Sequence, residues 1–492
     1  MKDLKTKTLR GGLARIFAQA ANFLLRLLAI MALARLLDPK DFGLVGMVTA
    51  FTGVLNLFRD FGLSAAAIQS EDVTDEQLSN LFWINIWVGA LLAIITFAFA
   101  PAIATFYHEP RLFGVTAVLA IGFFFNAAGV QHGAILQRQL RFTTMSVVNT
   151  VALLLSTAIG IGGAAMGYGY WSLVAMTVAA PLVNTIGFCL TTSWIPAMPR
   201  RLAGVRSMMR FGGAVTLNSL LGYTATNLEK VLIGKSWGAD AIGIYGRAFQ
   251  LSNVAADNLN STAGEVAFAA LSRLQNEPLR LKRYFLKGYS LILALTLPLT
   301  LACALFAPDI VFTFLGPKWR EAVPIFRLLA PTILAFAMAN PLSWLLYSIG
   351  KIGRLVRMSL VFTPLMIAGY FVALPYGPKG VALAYSILMT LWIFPLIAWA
   401  VRGTMISFAD MMHTVKWPLA SSIVAGAAAY GVRFLCLPYL PTLPRLILEG
   451  FVMLAVYAGM LLFVTGEKAF YLDVLRGLKG SPSAKEDELV SA

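Results

Sequence analysis

The chain has 492 residues, of which 59% are apolar and 13% charged, with a net charge of +16 and a mean hydropathy of +0.76. Soluble domains average roughly 25% charged residues, so this composition excludes an ordinary water-soluble fold. The positive balance does not point to nucleic acid, because that reading needs a folded soluble domain to present a basic surface.

A membrane-spanning helix needs about 20 mostly apolar residues, and stretches of that size recur from Gly11 to Thr465. In chain order the predicted helices cover 11–35, 42–68, 79–105, 112–135, 144–166, 170–193, 208–234, 241–270, 289–314, 322–348, 358–375, 381–400, 417–435 and 445–465. The runs are continuously apolar rather than alternating, and open sheet edges cannot face lipid, so an all-α polytopic membrane protein is expected. Lys2, Lys5, Lys7 and Arg10 precede the first run, which ends in Ala32-Leu33-Ala34, the small-residue pattern of a signal-peptide cleavage site. Its length and the interrupting Arg15 and Arg26 favour a retained helix instead. Cys189, Cys303 and Cys436 lack metal-ligand spacing, and His108, His132 and His413 are isolated, so no disulfide, metal or cofactor is expected.

Basic residues between helices set the expected orientation. Arg138, Arg141, Arg200, Arg201, Arg206, Arg210, Arg273, Arg280, Lys282, Arg283, Lys287, Lys351, Arg354, Arg357, Arg402 and Lys416 fall in breaks on the side of the N-terminus. The opposite breaks are poorer in Lys and Arg, which places both termini in the cytoplasm of a bacterial inner membrane protein. One break disagrees, because Glu71, Asp72, Asp75 and Glu76 stand on the expected inside without a base.

The two halves resemble each other. Asp38-Pro39-Lys40-Asp41-Phe42-Gly43-Leu44-Val45-Gly46 matches Gly238-Ala239-Asp240-Ala241-Ile242-Gly243-Ile244-Tyr245-Gly246 with coincident glycines. Phe99-Ala100-Pro101-Ala102-Ile103 answers Phe306-Ala307-Pro308-Asp309-Ile310, and Tyr168-Gly169 answers Tyr376-Gly377. A duplicated six-helix unit is expected, with bundles over 1–207 and 208–403, two extra helices within 404–466, and a partly disordered cytoplasmic tail over 467–492. Two such pseudo-symmetric bundles would enclose a central cleft.

Polar residues concentrate on four helices that this repeat makes equivalent. The first carries Arg15, Gln19, Asn22 and Arg26 on one face, and the second Thr49, Thr52, Asn56 and Arg59 beside Asp60. The seventh carries Thr216, Ser219, Tyr223, Thr226, Glu229 and Lys230, and the eighth Arg247, Gln250, Asp257, Ser261 and Glu265. A charge at the bilayer centre costs about 3 kcal/mol, so these side chains must face one another or water. Arg15, Arg26, Arg59, Lys230 and Arg247 then form a candidate cationic lining for phosphate, with Gln19, Asn22, Asn56, Tyr223, Gln250 and Ser261 as its polar wall. Asp60, Glu229, Asp257 and Glu265 are candidates for proton or cation coupling. The plain alternative is that Arg15 and Arg247 reach an interface and that Glu229 or Asp60 pairs with a neighbouring base. There is no Gly-x-x-x-x-Gly-Lys-Ser/Thr loop and no convincing catalytic constellation, so an enzyme is not expected.

Several strings resemble those of the polysaccharide-biosynthesis oligosaccharide flippases (Wzx-type) of the MATE-like superfamily, in particular the colanic-acid-exporter branch. They are Ala34-Arg35-Leu36-Leu37-Asp38-Pro39, Arg59-Asp60-Phe61-Gly62-Leu63-Ser64, Gln137-Arg138-Gln139-Leu140-Arg141-Phe142, Gly243-Ile244-Tyr245-Gly246-Arg247-Ala248 and Leu271-Ser272-Arg273-Leu274-Gln275. The resemblance implies a twelve-helix two-lobed core plus two helices, with an undecaprenyl-diphosphate-linked oligosaccharide as cargo. Membrane lipid, a polysaccharide polymerase and a co-polymerase are the further candidate partners. Asn227-Leu228-Glu229-Lys230 departs from the family, whose members often show Asp followed by Arg or Lys. A multidrug or cation antiporter of the same superfamily and a non-transporting scaffold of a polysaccharide assembly complex are the competing readings.

Overall fold

The computed structural model describes residues 22–58, 74–139, 141–198, 205–436 and 440–464, with only the backbone described over 205–219 and most of 255–270. Among the described residues there is no strand. Helix α1 covers 22–36, followed by α2 (Pro39–Asn56), α3 (Asp75–Tyr107), α4 (Arg111–Arg138), α5 (Phe142–Ala165) and α6 (Tyr170–Thr192). Val205–Arg273 is helical except at Gly238, where φ of 80° and ψ of -173° divide it into α7 (205–237) and α8 (239–273). Then come α9 (Pro278–Leu305), the short α10 (Ala307–Phe314), α11 (Ala322–Ser348), α12 (Ile352–Ala373), α13 (Gly377–Ala400), α14 (Phe408–Cys436) and α15 (Thr442–Gly459). The long helices fall on the predicted ones in order, and the chain is an all-α polytopic membrane protein. The expected tail over 467–492 lies outside the described residues.

One predicted helix is divided. The run over 289–314 is the end of α9 plus a separate α10, because Pro308 has no N–H to give the carbonyl of Ala304. That carbonyl is taken by Arg327, whose Nε donates to it at 3.1 Å. The equivalent Pro101 lies inside an unbroken α3.

The acidic stretch before α3 has a local explanation. Thr74 accepts from the Gln77 N–H at 3.3 Å, and Gln77 Oε1 accepts from the Thr74 N–H at 3.1 Å, closing a capping box. Asp75 and Glu76 then occupy the first turn, where the helix dipole favours negative charge. Glu71 and Asp72 lie outside the described residues. Thr74→Ala should destabilise the start of α3 by about 1 kcal/mol, read as faster amide exchange confined to that turn.

The chain divides into two compact units, neither continuous in sequence. The first comprises 1–250, 314–325 and 356–388, and the second 251–313, 326–355 and 389–492. Within the first, α3 packs on α4, α5 on α6 and α4 on α6, with α2 against α4 and α6. Within the second, α9, α14 and α15 share a core of Ala294, Phe306, Ala425, Ala429, Met453 and Tyr457. There the Tyr457 hydroxyl donates to the Ala294 carbonyl at 2.7 Å. Large apolar side chains such as Trp87, Ile94, Leu190 and Phe451 are exposed, as lipid rather than water allows. Among the described residues nine segments are long and apolar enough to cross a membrane.

Candidate functional site

The site is built where α1, α2, α7 and α8 meet in the first unit. Pro39 opens α2, with Asp41 accepting from the Asp38 N–H at 3.1 Å, and α8 opens just beyond Gly238. One turn inside each helix is a buried glycine. A methyl group added to Gly43 would overlap the carbonyl of Ala239, and one added to Gly243 would overlap the carbonyl of Pro39. Residues 39 and 43 are the repeat counterparts of 239 and 243, so each helix offers the other the same glycine and the same carbonyl. Only glycine allows backbones this close.

Other contacts tie the same end together. The Phe42 ring lies 5.5 Å from that of Trp319, whose indole N–H donates to the Ala34 carbonyl at 2.9 Å. Lys318 pairs with Asp38 at 2.9 Å. Lys235 donates to the Phe106 carbonyl and stands 3.0 Å from His108 Nε2. In the adjoining loop, Glu109 accepts from Arg111 at 2.8 and 3.0 Å, and this pairing holds its carboxyl below the usual range.

Away from this clasp several polar side chains become exposed. On α1 the buried Leu33, Ile30 and Ala29 give way to an exposed Arg26. On α2 the buried Met47, Val48 and Thr52 give way to an exposed Asn56. Toward the same end, Thr226 on α7 is half-buried and Gln250 on α8 is exposed. Among the described residues the four helices are clasped at one end, and the exposed polar side chains Arg26, Asn56 and Gln250 lie toward the other.

The predicted residues divide accordingly. Lys230 donates to Asn227 Oδ1 at 2.7 Å and lies 4.5 Å from the Phe249 ring centre. Arg247 lies 3.8 Å from the Phe42 ring centre and donates to Gln250. Both cations are thus held over aromatic faces. Tyr223 is half-buried, and its hydroxyl donates to the Ala50 carbonyl at 3.1 Å, which commits it to the contact between α7 and α2. Asn56 donates to the Thr52 carbonyl of its own helix at 3.1 Å, and Asn22 has a buried amide oxygen without a partner among the described residues. Arg15, Gln19, Arg59 and Asp60, with the side chains of Asp257, Ser261 and Glu265, lie outside the described residues.

Glu229 is fully buried, and neither carboxylate oxygen has a hydrogen-bond partner among the described residues. It lies within electrostatic reach of Tyr245, Tyr370 and Tyr385. The Tyr370 hydroxyl donates to the Ala225 carbonyl at 2.6 Å, whereas those of Tyr245 and Tyr385 have no such partner. The tyrosines of α12 and α13 were not legible as site residues, being single hydroxyls inside apolar runs.

A family model described as "Polysaccharide biosynthesis protein" matches residues 32–324, more than half of the chain and all of the clasp. The chain belongs to this polysaccharide biosynthesis protein family. It is 25% identical over 393 residues to the lipopolysaccharide biosynthesis protein WzxC of Escherichia coli (strain K12), covering 78% of each chain. It is 26% identical over 406 residues to the teichuronic acid biosynthesis protein TuaB of Bacillus subtilis (strain 168), covering 76% of this chain and 78% of the relative. Among solved structures, the lipid II flippase MurJ in an inward closed conformation superposes with a TM-score of 0.74 at 14% identity, over 94% of this chain and 99% of that one. An inward-facing multidrug resistance MATE family transporter of the MOP superfamily gives 0.62 at 13% identity, over 82% and 99%. These two likenesses establish the fold.

Reaching from the matched region to helices beyond it, this member of the polysaccharide biosynthesis family holds a charge cluster in its second unit that the sequence did not reveal as such. Asp309 on α10 is buried and paired with both Arg433 of α14 and Arg445 of α15. Arg445 Nε donates to Asp309 Oδ1 at 3.1 Å, and the buried Glu449 lies 3.6 Å from Arg433. The only signal in the sequence was Asp309 standing where the first repeat has Ala102.

Proposed function

We propose that this polysaccharide biosynthesis protein is a flippase that moves undecaprenyl-diphosphate-linked oligosaccharide units across the bacterial inner membrane for exopolysaccharide or O-antigen synthesis. The observation that carries this reading is the clasp of α2 on α8 through Gly43 and Gly243, with the exposed Arg26, Asn56 and Gln250 away from it. Such an arrangement suits one state of an alternating-access cycle. With both termini cytoplasmic the end bearing these side chains faces the cytoplasm, where a lipid-linked precursor would enter. The halves 1–207 and 208–403 act as the two moving lobes, with 404–466 as an added hairpin.

A diphosphate leaving water needs cations to offset its desolvation. Arg26 is the described cation placed for this, while Lys230 and Arg247 are restrained over their aromatic rings deeper in. Arg15 and Arg59 complete the proposed lining. Glu229, Asp60, Asp257 and Glu265 are the proposed coupling groups. Glu229 stands out among them, because a buried carboxylate without a hydrogen-bond partner among the described residues either takes a proton or receives a cation as its environment changes. The work of such a protein is transport rather than catalysis.

The test is flipping of a fluorescent undecaprenyl-diphosphate-linked oligosaccharide in proteoliposomes. Arg26→Gln is expected to reduce the rate about ten-fold or more while leaving the melting temperature unchanged, because an exposed charge is lost and no packing. Arg26→Lys should retain part of the rate, since a point charge replaces the guanidinium fork incompletely. Wild-type vesicles that export cationic dyes but leave the lipid-linked sugar in place would establish the antiporter reading, and vesicles that do neither would favour the scaffold.

A further inference from the structure

A cavity of about 350 Å³ opens on the second unit between the α8–α9 turn, the end of α11 and the α13–α14 loop. Its walls are mostly apolar, formed by Pro278, Leu281, Leu345, Ile349 and Met405, with Gln275 and Thr404 as the polar members. Its mouth is cationic. Lys351 lines it and donates to the Gly403 carbonyl at 3.0 Å. Beside it, Arg354 donates to the carbonyls of Ala400 and Arg402 at 2.9 and 2.6 Å, which fixes the loop bearing the exposed Arg402. The acidic residues of these turns are already matched, Glu277 with Arg280 at 2.7 Å and Asp410 with Lys282 at 2.6 Å. Lys351, Arg354 and Arg402 therefore add positive charge that no carboxylate of these turns offsets.

We propose that this cavity is a site for an anionic phospholipid of the surrounding bilayer, its phosphate at Lys351 and Arg402 and the start of its acyl chains along the Leu281, Leu345 and Ile349 wall. A soluble anion would find the cations but leave the largely apolar wall uncovered, whereas a lipid matches both. On the orientation proposed above, the mouth opens at the cytoplasmic leaflet, where anionic headgroups are drawn to basic clusters. The site lies outside the α1, α2, α7 and α8 lining, so lipid occupancy can be measured without reference to flipping.

The experiment is native mass spectrometry and thermal melting of the full-length protein in detergent, titrated with phosphatidylglycerol, phosphatidylcholine or inorganic phosphate. Phosphatidylglycerol is expected to be retained and to raise the melting temperature, while the other two do neither. The double variant Lys351→Gln/Arg402→Gln should weaken retention about ten-fold or more, since each basic residue near a lipid headgroup contributes on the order of 1 kcal/mol. Thr404→Trp keeps every cation but fills the cavity, and should also lose the lipid, as should the double charge removal, whereas Lys351→Arg/Arg402→Lys should keep it. Lys379→Gln, an exposed cation of the first unit, should change nothing. Unaltered phosphatidylglycerol retention in Thr404→Trp overturns the proposal, and so does a melting shift with inorganic phosphate equal to that with the lipid.

Discussion

Asp309→Asn is expected to destabilise the protein by about 3–5 kcal/mol, the cost of leaving buried charge without its counter-ion. Asp309 has no exposed surface, and its two partners, Arg433 and Arg445, are only 14% exposed at their side chains. Removing the carboxylate strands two guanidinium groups in a site whose remaining acid, Glu449, is 3.6 Å from one of them. Thermal unfolding in detergent would show a large fall in melting temperature, together with early exchange of the α14 and α15 amides, because the cluster joins these helices to α10. Replacing Asp309, Arg433, Arg445 and Glu449 together by apolar residues of similar volume should be far milder than the single change. An Asp309→Asn protein that melts like the wild type would show that water reaches the cluster.

The second large effect is expected at the clasp. Gly43→Val and Gly243→Val should each cost the clasped arrangement about 3 kcal/mol, because the collision is with a backbone carbonyl that no rotamer can avoid. In an alternating-access protein that cost falls on one state, so the population should move toward the unclasped one by roughly two powers of ten. A single cysteine at Met47, 1% exposed in the clasped arrangement, reports the change when Cys189, Cys303 and Cys436 have been replaced. It should resist a membrane-impermeant thiol reagent in the parent and label readily in either variant, with transport lost in both. Gly450→Val serves as the control, since a side chain there meets nothing within 4 Å. Protection of Met47→Cys in the Gly43→Val protein would mean that the helices move apart elsewhere or not at all.

Much of this was legible in the sequence because bilayer thickness leaves so strong a mark. A run of about 20 apolar residues declares a helix without any knowledge of its neighbours. The coincident glycines were legible for a related reason: Gly43 and Gly243 each lie against a carbonyl of the other's helix. The stripes on α1, α2, α7 and α8 were legible as stripes, but not the fate of each member. Tyr223 looks from its spacing like a cavity residue, yet its hydroxyl is engaged by a carbonyl on α2, a partner 173 residues away in sequence. The Asp309 cluster was hidden for the same reason, its arginines lying on helices that periodicity alone cannot bring to α10. The break at Phe306 needed knowledge of Arg327, which satisfies the carbonyl that Pro308 leaves open.

The glycine clasp also says something about ancestry. Two identical subunits related by a two-fold axis meet in this way, residue i on residue j and residue j on residue i. Pro39 and Gly43 stand to Ala239 and Gly243 as one subunit stands to its twin, so a half-length chain could make the same contact with a second copy of itself. Fusion would then free the copies to differ. A homodimer must carry any buried aspartate twice and supply arginines for each, whereas a single chain is free to hold Asp309 at one position, Ala102 at the matching one, and the arginines of α14 and α15 only where the acid awaits them.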